Sequence, residues 1–226
     1  MYSGRKRSAS VSNQKVQVTK KFFKPNYAAP KGRAGNAELK FFDTATSFTT
    51  DITGEVPATG QLCLIPQGVT ESTRIGRKAV IKSIQMKGSM LYNPGAASTD
   101  TVGAVGHVYV VLDKQANGAA AAVTDVLTSA SMGSAFINLA NSERFIILKK
   151  FIVSFNPGAG ASGSASSVKR PYSWYSKYNI PLEFSSTTGA ITEIRSNNVF
   201  LLAGIDGAQD DSITVTGAVR IRYSDQ

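Results

Sequence analysis

The 226-residue chain holds 25 Lys and Arg against 15 Asp and Glu, a net charge of +10, with one cysteine and one histidine. Cys63 alone cannot build an intrachain disulfide framework, and with His107 as the single histidine a conventional zinc site is not expected. No apolar run is long enough to span a bilayer, and no apolar signal core follows the basic N-terminus, so neither membrane insertion nor secretion is expected.

The first thirty-three residues hold Arg5, Lys6, Arg7, Lys15, Lys20, Lys21, Lys24, Lys31 and Arg33, and no acid. Residues 34–226 then carry 16 basic and 15 acidic residues, a net of +1. The charge therefore belongs to an arm, residues 1–36, in front of a body, residues 37–226. An arm of this composition cannot bury enough apolar surface to offset its chain entropy, and alone in water it is expected to be disordered or extended. Its chemistry is that of an electrostatic footprint for polyanions, nucleic acid foremost, with a solubilising tail as the plainer alternative. Phe22, Phe23 and Tyr27 lie among Lys20, Lys21 and Lys24. Such aromatics can stack on unpaired bases, or Phe22 and Phe23 can dock the arm on a protein wall. Arg5-Lys6-Arg7 with Lys20-Lys21 also fits the loose pattern of a nuclear import signal.

Pro25 and Pro30 punctuate a linker, and strand character begins near Glu38. Strands are expected over 38–52, 78–92, 106–113, 143–148, 150–156, 177–184, 198–205 and 213–223, with Gly88 as a bulge or bend. Three apolar runs (within 106–113, 145–148 and 199–202) are apolar on both alternating faces. They need cover on both sides, from the chain itself or from another subunit. Residues 115–142 are Ala/Gly/Ser-rich with weak helical patterning, one or two turns being expected between Asp125 and Met132. Residues 156–168 read as a low-complexity loop. Eight strands without alternating helices exclude a parallel α/β sheet. They predict an all-β, eight-stranded antiparallel jelly-roll sandwich behind the arm.

Glu38-Leu-Lys-Phe-Phe-Asp-Thr44 after a basic arm, Ile65-Pro-Gln-Gly68, and Arg74-Ile-Gly-Arg-Lys78 running into Val80-Ile-Lys-Ser-Ile84 are similar to the start of a known shell domain. Val108 to Asn117, Arg144-Phe-Ile-Ile-Leu-Lys149, Leu201-Leu-Ala203 and Arg220-Ile-Arg-Tyr223 follow in the same order. Together these blocks, over roughly residues 38–225, resemble capsid proteins of small circular single-stranded DNA viruses, the environmental members above all. The resemblance implies a virion protein whose roughly sixty copies close an icosahedral shell around a single-stranded DNA genome. It also implies assembly in a host nucleus, with an import receptor and a cell-surface receptor as partners. A capsid protein of a small satellite-like RNA virus, or a non-viral lectin-like oligomer, stays open beside it.

Arg220 and Arg222 alternate with Val219, Ile221 and Tyr223, so they project from one strand face, either to a nucleic-acid side or as a solvated or subunit-paired face. Asp206, Asp210 and Asp211 cluster in a turn, too few oxygen ligands for calcium without help. Arg170-Pro-Tyr-Ser-Trp174 reads as a cap over the core. No Gly-x-Ser-x-Gly elbow, phosphate-cradling loop or helical carboxylate pair accompanies His107. No catalytic residue, metal or cofactor is expected.

Overall fold

The computed structural model describes residues 39–95, 103–156 and 167–225. Eight antiparallel strands form two sheets. These are β1 (Leu39–Thr50), β2 (Lys78–Asn93), β3 (Ala104–Asp113), β4 (Phe145–Phe155), β5 (Val168–Phe184), β6 (Ile194–Ser196), β7 (Asn198–Asp206) and β8 (Ser212–Asp225). One sheet has the order β1-β8-β2-β5-β6 and the other β4-β3-β7. Along the free edge of β7 runs residues 55–62: Glu55 and Ala203 exchange backbone hydrogen bonds of 2.7 and 3.0 Å, Gln61 bridges Phe200, and Leu62 donates to Val199 at 2.9 Å. That segment gives the smaller sheet a fourth member. The chain then passes between sheets in the jelly-roll sequence, with the three-residue β6 as an appendage.

The membership of the eight differs from the sequence expectation. Residues 143–148 and 150–156 are one strand, β4, not two. Its pairing with β3 steps from Val110↔Lys149 to Val111↔Ile147, so Leu148 is the extra residue of a bulge and the Lys149-Lys150 pair interrupts nothing. β5 starts at Val168 rather than 177, extending through Pro171. Gly88 is not a bulge: pairing runs unbroken through Gly88↔Tyr172 and Gly88↔Gly217, and the irregularity in β2 lies between Ile81 and Ser83. Gly88 is there for space, since a Cβ would stand 2.6 Å from the Tyr172 hydroxyl and 2.2 Å from the Thr216 carbonyl. The Tyr172 ring takes that room and packs on Phe151 with centroids 5.2 Å apart.

The main core lies between the sheets. β8 contributes Ile213, Val215, Val219, Ile221 and Tyr223, β2 contributes Ile81, Ile84, Met86, Met90 and Tyr92, and β7 contributes Val199, Leu201 and Ile205. Arg74 is fully buried beside this core, donating to the carbonyls of Ile65, Gly76 and Ser186 and lying 4.0 Å over the Phe184 ring. It ties the 65–76 loop to the end of β5.

The strands apolar on both faces find their second cover within the chain. Residues 114–144 leave β3, cross the outer face of the smaller sheet and return into β4. They lay Ala121, Val126, Leu127 and Met132 on Tyr109, Val111, Phe145, Phe200 and Leu202. One helical turn, α1 (Val123–Val126), and a bridge from Leu127 to Ile137 shape this lid. Its two ends are clamped together. Arg144 donates twice to the carboxylate of buried Asp113, both at 2.8 Å, and the backbone of Lys114 donates to the Arg144 carbonyl at 3.0 Å. Two parallel charge-assisted bonds fix both distance and angle.

Asp113→Ala should therefore free the lid, lowering stability by about 1–3 kcal/mol by loss of the buried carboxylate's bonds. Limited proteolysis should then cut within 115–142 far faster than in the parent, while the strands stay protected.

Candidate nucleic-acid interface

The eleven arm residues singled out in the sequence (Arg5, Lys6, Arg7, Lys15, Lys20, Lys21, Phe22, Phe23, Lys24, Lys31 and Arg33) lie outside the described residues. Arg220 and Arg222 lie inside them, and they point outward from the five-stranded sheet, as alternation requires. The register places what surrounds them. From β1 through β8 and β2 to β5, the outward rows read Phe41, Arg222, Ser83, Lys177, then Asp43, Arg220, Gln85, Tyr175, then Ala45, Ala218, Lys87, Ser173. Two further rows run from Ser47 to Pro171 and from Thr49 to Lys169.

Six basic residues (Lys82, Lys87, Lys169, Lys177, Arg220 and Arg222) thus share this face with one acid, Asp43, a net of +5; Lys82, at the β2 bulge, donates to outward Asn179 at 2.7 Å. Since residues 34–226 hold 16 basic and 15 acidic residues, everything else in them has 10 against 14, a net of −4. The positive charge of the near-neutral body is thus concentrated on this face, and the negative balance is spread over the rest of it. Toward the start of β2, the next charged row pairs Lys78 with Glu183 and adds nothing.

Asp43 neutralises one cation only. Arg220 grips it bidentately at 2.7 and 2.6 Å, and this hydrogen bonding holds the Asp43 carboxyl below its usual range. The pair is within the chain, not between subunits. The Arg220 guanidinium also stands 5.0 Å over the Phe41 ring, which orients it across the sheet. Among the described residues, Lys87, Lys169, Lys177 and Arg222 have no carboxylate partner.

Ala45 and Ala218 face each other across the β1–β8 pair, beside Lys87. Their small side chains leave a hollow of about 500 Å³ lined also by Asp43, Thr44, Gln85, Val219 and Arg220. Tyr175, cross-strand from Gln85, is 55 % exposed. Lys87 and the Lys169/Tyr175/Lys177 set were missed in the sequence. A signal was present in part, because Ser173, Tyr175 and Lys177 stand at alternate positions, and Lys169 shares their parity on the far side of Pro171. The sequence could not say that they share a face with Arg220.

The other candidates resolve into structural roles. Asp211 is not a solvated turn residue: it is buried and accepts hydrogen bonds from the Tyr92 hydroxyl and the backbone of Gly95 and Ala208. Among the described residues no group of three or more His, Cys, Asp or Glu is placed to hold a metal. Trp174 packs edge-on to Phe151 at 6.5 Å, capping the core. Burial of Cys63 pushes its thiol up to about 12. No helix among the described residues is long and apolar enough to cross a membrane.

His107 is buried on the lid side of the smaller sheet, its Nδ1 3.4 Å from the Tyr109 hydroxyl, with Asp206 and Lys150 the nearest charges. Burial pushes its pKa below the ordinary imidazole value of 6.5. The folded protein therefore prefers the neutral ring, whereas the unfolded chain takes up a proton as pH falls past about 6.5. Stability from this residue is complete above that value and is lost as pH falls toward the depressed folded one. Urea unfolding midpoints should drop between pH 7 and pH 5, and His107→Gln should make the drop smaller.

No protein-family model matches the chain, and no curated protein does. Among solved structures it is similar to the infectious bursal disease virus Gt strain, at 12% identity and a TM-score of 0.25 over 86% of this chain and 36% of that one. A crystal structure of the infectious bursal disease virus VP2 subviral particle gives 9% and 0.27 over 86% and 36%. The Gx strain of the same virus gives 12% and 0.26 over 82% and 32%. The chain spans about a third of the length of these structures' chains.

Proposed function

We propose that the chain is a capsid protein whose jelly roll builds a small icosahedral shell of about sixty copies around a single-stranded DNA genome. It acts by binding and enclosing, not by catalysis. The observation that carries this reading is the placement of charge. An acid-free run of nine cations precedes β1, and β1 is the edge strand of the one sheet whose outer face is basic. A shell needs one side that attracts phosphate and other sides that do not, and a body with +5 on one sheet face and −4 spread over the rest supports that polarity.

Exposed apolar side chains support assembly. Val69 is 97 % exposed, Phe136 79 % and Leu139 80 %, which suits burial against further copies. The lid covers β3 and β7, while Ile146 and Ile152 on the β4 edge stay exposed at 41 % and 58 %. Arg5-Lys6-Arg7 with Lys20-Lys21 would serve import into a host nucleus for assembly.

Electron microscopy and sizing of the purified chain test the class directly. Uniform particles, or capsomers that assemble into them, are expected. A monodisperse monomer at high concentration across a range of salt and pH would overturn the proposal. Nuclease digestion of the extracted cargo distinguishes DNA from RNA, which present the same phosphate.

Charge counting gives a second test. Sixty arms of nine cations neutralise about 540 phosphates, and the sheet faces add a smaller share. Deleting residues 1–33 should strip most of the packaged nucleic acid, read as a fall in the 260/280 nm absorbance ratio. It should also flatten the salt dependence of single-strand binding. Truncated particles with a full load would put the genome on the body instead.

A further inference from the structure

We propose that the hollow at Ala45 and Ala218 seats one nucleotide of a single strand, its base lying flat on the two alanines and its phosphates on Lys87 and Arg220. This rests on the nucleic-acid reading above and deepens it: the body contacts bases as well as phosphates.

A basic patch alone would hold only phosphate. Here Lys87, Gln85 and the Arg220–Asp43 pair stand around an apolar floor. Ala45 and Ala218 are opposed in register and exposed, and about 500 Å³ of space stands over them, within the range of small-ligand pockets. A large branched side chain at either position would cover the alanine floor. Gln85 offers an amide with both donor and acceptor, so it can meet the polar edge of any base and need not select one. Next to it across the strand pair, Tyr175 presents an exposed ring on which a neighbouring base can stack.

The cations continue past the hollow. Arg220 and Arg222 are two residues apart on β8, about 6.8 Å along the strand. That is close to the phosphate spacing of an extended single strand. Lys177 follows in the Arg222 row. A duplex hides its base faces in the stack, so a flat seat of this kind admits an unpaired strand and excludes a paired one. Asp43 and the Phe41 ring hold Arg220 at one rim of the hollow, on the side away from Lys87, without consuming the other cations.

Ultraviolet cross-linking of the full-length protein with its bound nucleic acid, followed by peptide mass spectrometry, tests the seat. Cross-links are expected at two places: in the arm, at Phe22, Phe23 or Tyr27, and on the sheet at Tyr175. Ala218→Ile fills the hollow at an exposed strand position and should lower the Tyr175 cross-link at least threefold relative to the arm cross-link. Ala45→Leu fills it from the other strand and should act alike, which covers failure of one variant to fold. Arm cross-links with none at Tyr175, or a Tyr175 yield untouched by both variants, would overturn the seat and leave the capsid reading standing. No cross-link anywhere would remove both.

Discussion

Side chains on a strand alternate between two faces, and the rest of this structure depends on how the two sheets use that alternation. In the five-stranded sheet each strand commits one face to the core. On β8, Ile213, Val215, Val219, Ile221 and Tyr223 are all buried, which leaves Thr214, Thr216, Ala218, Arg220 and Arg222 on the other face. The inward residues supply the apolar burial by themselves, so the outward ones are free to carry charge. Charge on that face costs little, because it stays in water, and like-charged neighbours are spread over several strands.

The smaller sheet makes the opposite use of its faces. Both are apolar, and a two-sided apolar sheet is soluble only if something covers it. The lid does this with small side chains, since a segment rich in alanine, glycine and serine can follow the sheet surface closely without bulky groups to place. Its apolar anchors are few (Val126, Leu127 and Met132 among them), and its position is fixed at the base by the Asp113–Arg144 pair. That pair lies where β3 ends and β4 begins, so one ion pair sets the return of a thirty-residue excursion. The consequence for function is polarity. One outer face is covered by the chain itself over Tyr109, Val111, Phe145, Phe200 and Leu202, with Ile152 left exposed at the β4 edge, and the other is open and basic.

The hollow shows how a site can arise from what is missing. Nothing about an Ala-Ala pair across two strands is unusual in isolation. It becomes a cavity because Gln85, Lys87, Asp43 and Arg220 stand around it with long side chains. The same logic operates inside the sandwich at Gly88 and Gly217, where absent side chains make room for Tyr172.

By itself the sequence determined what depends on near neighbours in the chain. The nine arm cations, the absence of a helix-forming period, the turns at Gly and Pro, and the joint projection of Arg220 and Arg222 are local facts, legible from composition and from a period of two. Tertiary structure alone decided the matters of register and contact. Lys149-Lys150 looked like a break until the pairing with β3 made Leu148 a bulge. Residues 55–62 acquired their strand role only from the edge of β7, and Gly88 its purpose only from Tyr172. Lys87, Lys169, Lys177 and Tyr175 became one surface with Arg220 only because hydrogen bonding between distant segments aligned them. Alternation is set by each strand's own backbone, whereas register is set by partners from tens to well over a hundred residues away, and no local pattern encodes it.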